Sequence, residues 1–119
     1  MDNQATSAPA HQPTILELAS SEAARKEVYS NIILNIIAQQ SLIIGPALAV
    51  EQAQKVQGLS YDPVSKKVII NGNGSLIIDK LIEQYRDFFG HAAVEVCKEA
   101  AAKYLQQIPV DQTPSLLRV

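Results

Sequence analysis

Residues 31–50 read NIILNIIAQQSLIIGPALAV, and no charged side chain occurs anywhere between Glu27 and Glu51. A run of that length is what a bilayer-spanning helix needs, about 20 residues. The same run would also serve as a buried core helix or an interface helix. Three features count against a membrane span. Asn31, Asn35 and Gln39 stand four residues apart, with Gln40 and Ser41 beside them, and lipid cannot satisfy exposed amides. Gly45-Pro46 interrupts the run, and neither an aromatic belt nor a basic cluster flanks it. No membrane span is expected.

The spacing of the amides also decides between helix and strand. Isoleucine favours strands, but a half-buried strand alternates with period two. Here polar residues recur every four, with Ile32-Ile33 and Ile36-Ile37 filling the gaps, which is a helical pattern. Glu22 and Lys26 extend it backwards as an i,i+4 pair, and Ser20 or Ser21 is a fitting N-cap. Thr14-Ile15-Leu16-Glu17 carries the capping-box pattern, so a leading turn can start there. Proline disfavours the helical conformation in the residue before it and suits a first turn. One helix is therefore expected over about 21–44 and a second over 46–57, stopped by Gly58.

The segment LSYDPVSKKVIINGNG changes character. Two apolar runs flank Asp62-Pro63-Val64-Ser65, a strong turn signal, and predict a hairpin with strands near 59–62 and 67–71. The following Asn71-Gly72-Asn73-Gly74 completes neither a phosphate-loop nor a calcium-loop pattern and reads as a turn. Ser75 is then the expected N-cap. Leu81, Ile82, Tyr85, Phe89, Ala92, Ala93, Val96 and Ala100 form one stripe at helical spacing that continues through Gly90. It predicts a single helix from about 76 to 107, ended by Pro109. Small residues at Gly90, Ala93, Cys97 and Ala101 would let another helix approach closely.

The expected fold is thus mainly α with a small β-hairpin, in the order helix, helix, hairpin, long helix. It comprises a disordered polar tail (1–13), one helical domain (14–108) with the hairpin near 58–71, and a loosely packed C-terminal tail (109–119). The chain has 119 residues, 47% of them apolar, enough for a core without disulfides or metal. Its net charge of −2 and scattered Lys and Arg carry no nucleic-acid footprint. Its one cysteine, Cys97, excludes an internal disulfide, and the N-terminus lacks the charged and apolar regions of a secretory signal. A cytoplasmic location is the expectation.

The chemistry is sparse. His11 falls in the polar tail. His91 and Glu95 form an i,i+4 pair, two ligands where a metal site needs more, so no metal or other cofactor is expected. Cys97 reads as a small buried hydrophobe. Asp79, Glu83 and Asp87 repeat every four residues and read as a solvated face relieved by Lys80 and Arg86. No catalytic residues can be assembled. The leading expectation is a non-catalytic interaction or assembly module, pairing with itself as a homodimer and open to another protein partner. The reasons are the uncharged helix, whose isoleucines fall on more than one face, and an unbroken last helix of about 48 Å, which would overhang its own domain and carry its apolar stripe with it. The alternative is a small-molecule sensor or carrier with an apolar pocket and an amide stripe. Asn31, Asn35, Gln39, Tyr85, Phe88 and Phe89 are the candidate interface or ligand-facing residues. On the interface reading, Asn35→Leu should leave stability unchanged or raised.

Overall fold

The computed structural model of the chain describes residues 15–118; the tail expected over 1–13 lies outside the described residues, as do Thr14 and Val119. The element order is helix α1 (Ile15–Ile44), α2 (Pro46–Gln54), strands β1 (Leu59–Asp62) and β2 (Lys67–Ile70), α3 (Gly74–Phe89) and α4 (Ala92–Ala101), followed by short 3-10 turns at Ala102–Gln107, Val110–Gln112 and Ser115–Leu117. The protein is mainly helical with one antiparallel hairpin.

The uncharged run is the central core helix. Ile32, Ile33, Ile36 and Ile37 are all buried, and each contributes roughly 1.5–3 kcal/mol by leaving water. Consecutive residues can be buried because α1 is packed on several sides, by α2, α3, α4 and β2. Its earlier turns, from Glu22 to Glu27, are largely exposed and carry the charge. The helix starts at Ile15, so Ser20 and Ser21 lie inside it and not at an N-cap. It stops at Ile44, and Pro46 opens α2 as expected.

The hairpin pairs Leu59 with Ile70 and Asp62 with Lys67. Leu59 and Ile70 are buried, and Tyr61 and Val68 pack partly against the core. The Asp62 carboxylate closes the turn, accepting from the Val64 N–H at 2.9 Å and the Ser65 hydroxyl at 3.0 Å. Those bonds, the Val64 N–H foremost, hold the Asp62 carboxyl below the usual range. The N-cap of α3 is Asn73, whose side chain accepts from the Leu76 N–H at 3.1 Å, and not Ser75. Gly74 opens α3 because a Cβ there would collide with the Tyr29 ring of α1.

Two expectations are corrected. The last helix is not continuous: it breaks at Gly90, whose φ of 94° and ψ of −179° suit glycine alone. The break resets the helical phase. Ala93, Val94, Cys97, Ala100 and Ala101 face the core in α4, whereas Phe89 and Ala92 do not. The 48 Å overhang is therefore absent, and a dimer packed across such a helix loses its basis. The C-terminal tail is not loose either. Ile108, Thr113, Pro114 and Leu117 are buried, and the Asp79 carboxylate accepts the backbone N–H groups of Ser115 at 3.0 Å and Leu116 at 2.9 Å.

Candidate functional site

The polar side chains of α1 do two different jobs. One set fastens the returning C-terminal half of the chain. Tyr29 donates its hydroxyl to the Gln112 carbonyl at 2.6 Å, Asn35 its Nδ2 to the Ala100 carbonyl at 2.6 Å, and Gln40 its Nε2 to the Ala93 carbonyl at 3.0 Å. The partners run backwards as α1 runs forwards, so α4 lies antiparallel to α1. Ala93, Cys97, Ala100 and Ala101 present little bulk on the face that α4 buries, and the backbones come close enough for amides to bridge them. Cys97 accepts weakly from Gln40 Nε2 at 3.5 Å, and burial pushes its thiol up to about 11. Such a thiol is a core residue with little thiolate at neutral pH.

Gln40 was not singled out from sequence. The signal was present: it follows Ile33 by seven and Ile36 by four, which places it on the buried stripe. Gln39, its neighbour, is exposed. The amide row of Asn31, Asn35 and Gln39 is thus divided. Asn31 and Asn35, both half-buried, border a groove, and Gln39 does not.

That groove has a volume of about 550 Å³. Its apolar wall comes from Leu34, Ile37 and Ala38 of α1 and from Pro46 and Val50 of α2. The opposite side is built by Tyr61, Pro63 and Lys66 of the hairpin and by Tyr104 of the first 3-10 turn. Among the described residues no carboxylate lines it. Lys103 stands with its Nζ 5.1 Å from the Tyr104 ring centroid.

The second feature is an apolar corner. Tyr85, wholly buried, donates its hydroxyl to the Ala49 carbonyl at 2.6 Å, and burial raises its pKa far above the phenol range. This bond and the one from Gln40 to Ala93 bring the α3–α4 bend beside the α1–α2 bend. Exposed Leu42, Ile43 and Leu48 from one bend therefore share an end of the molecule with Phe88 and Phe89 from the other. Leu42 is 80% exposed, Phe88 46% and Phe89 43%. Of the three aromatic candidates, then, Tyr85 belongs to the core and the two phenylalanines to the surface.

Other expected chemistry is dispersed. His91 and Glu95 are exposed and 3.6 Å apart. Asp79 caps the C-terminal turn, while Glu83 and Asp87 point into solvent. Among the described residues no group of three His, Cys, Asp or Glu side chains converges as metal ligands would, and no helix is long and apolar enough to cross a membrane. Compared with known proteins, the chain matches no family model, no curated protein and no solved structure.

Proposed function

We propose that this protein is a small interaction module, not an enzyme, and that it pairs with a second copy of itself through the apolar corner. The observation that carries the reading is the exposure of Leu42, Ile43, Leu48, Phe88 and Phe89 on the two bends that the Tyr85–Ala49 and Gln40–Ala93 bonds bring together. Apolar patches of a few hundred Å² on a monomer are often functional. A two-fold contact uses the same patch on both partners. A specific interface buries roughly 1,000 Å² or more in total, so pairing has to cover the corner and its surroundings on both copies. Gly45, Pro46 and Ala47 add no charge at the centre, and Asp87 and His91 supply a polar rim. The non-catalytic part of the reading is supported by the high pKa of buried Cys97 and the exposed position of His91.

Amide chemical shifts followed on dilution test the location. Concentration-dependent shifts should concentrate at residues 42–48 and 88–92. Shifts centred on the hairpin or the C-terminal turns, or none at a concentration where light scattering reports a dimer, would place the contact elsewhere.

A further inference from the structure

The geometry points to the groove between α1, α2 and the hairpin as a binding site for a small amphipathic carboxylate, one with an alkyl body and an anionic head. This goes beyond self-association at the corner and shares only Pro46 with it. A volume of about 550 Å³ lies within the 300–1,000 Å³ range of small-molecule pockets. Leu34, Ile37 and Val50 offer an apolar wall to an alkyl chain. The head is specified by charge. Among the described residues Lys66 is the one formally charged side chain in the lining, and Lys103 lies over the ring of Tyr104, which lines the same groove. The nearest acid in the hairpin, Asp62, is occupied by its own turn. Glu51 lines the adjoining hollow beyond Val50 and Pro63, so among the described residues a ligand ammonium in the groove itself would meet no carboxylate. A purely apolar ligand would cover amide and phenol groups without pairing them, which costs free energy.

Decanoate below its micellar concentration is the probe, with decylammonium and decanol as controls, each titrated into the Leu42→Glu protein so that the corner is not available. Saturable amide shifts should appear at residues 31–41 and 61–66 with decanoate, and not with decylammonium. Lys66→Ala should weaken decanoate about two- to fivefold, what an exposed ion pair contributes, and leave decanol unchanged. Ala38→Phe, at an exposed position, should fill the groove and abolish the shifts while the unfolding midpoint stays put. Equal binding of decylammonium, insensitivity to both substitutions, or no saturable shifts with decanoate would overturn the assignment. None of these outcomes bears on dimerisation, which is read from mass.

Discussion

Asn35 and Ala100 are 65 positions apart in the chain, yet the Asn35 Nδ2 donates to the Ala100 carbonyl at 2.6 Å. The bond falls where α4 tightens into the 3-10 turn at Ala102. At this change of helix type the Ala100 carbonyl takes the Asn35 amide as a partner from the neighbouring helix. Asn35→Leu should therefore lower the unfolding free energy by about 0.5–1.5 kcal/mol, the net contribution of a typical intramolecular hydrogen bond. This reverses the neutral or stabilising effect expected from sequence, which took the amide to face a helix interface or a ligand pocket. Urea unfolding reads it; an unshifted midpoint would mean that the carbonyl finds another partner.

The elements legible from sequence were those with local causes. Gly45-Pro46 stops a helix by backbone sterics, and Asp62-Pro63-Val64-Ser65 makes a turn with its own side chains. The break at Gly90 was not legible, because the apolar stripe on either side can be read in phase through it. Only the tertiary gain of laying α4 back along α1 selects the bend. Asp79 was hidden for the same reason: its partners, Ser115 and Leu116, are 36 and 37 residues away. The corner was half visible, since Phe88 and Phe89 were candidates but Leu42, Ile43 and Leu48 belonged to an uncharged run that the sequence left open between a core helix and an interface helix.

Gly90→Ala tests the bend. A side chain at φ 94° is strained even though the space around it is open, and such strain costs on the order of 1–3 kcal/mol. Chemical denaturation should show a loss in that range. A variant as stable as the parent would mean that the backbone at position 90 is free to adopt another conformation.

Removing the Asp79 carboxylate should release the last 3-10 turn without unfolding the core. Loss of a capping side chain costs about 0.5–2 kcal/mol. In Asp79→Ala the amides of Ser115 and Leu116 should exchange with solvent faster, while those of Ile32–Ile37 keep their protection. Equal exchange in both proteins at Ser115 and Leu116 would contradict the cap.

Alkaline pH should weaken the fold partly through Cys97. Its folded pKa, about 11, stands above the ordinary 9.0, so the folded protein holds a proton that the unfolded chain releases. The stabilisation is complete below pH 9 and is lost as pH rises towards 11, by on the order of 2 kcal/mol. Cys97→Ala should be flatter than the parent over that window in urea titrations at stepped pH. Parallel profiles would show that the thiol ionises alike in both states.

The most direct measurement of the proposed function is the mass in solution of the parent and of Leu42→Glu, by light scattering over micromolar concentrations. One chain weighs 12.9 kDa. The parent should approach twice that mass as concentration rises. Leu42→Glu should stay at the mass of one chain with unchanged helical content, because a charge buried at a two-fold apolar contact meets its own copy. A parent that remains at single-chain mass throughout, or a Leu42→Glu protein that dimerises as the parent does, would contradict pairing through the apolar corner.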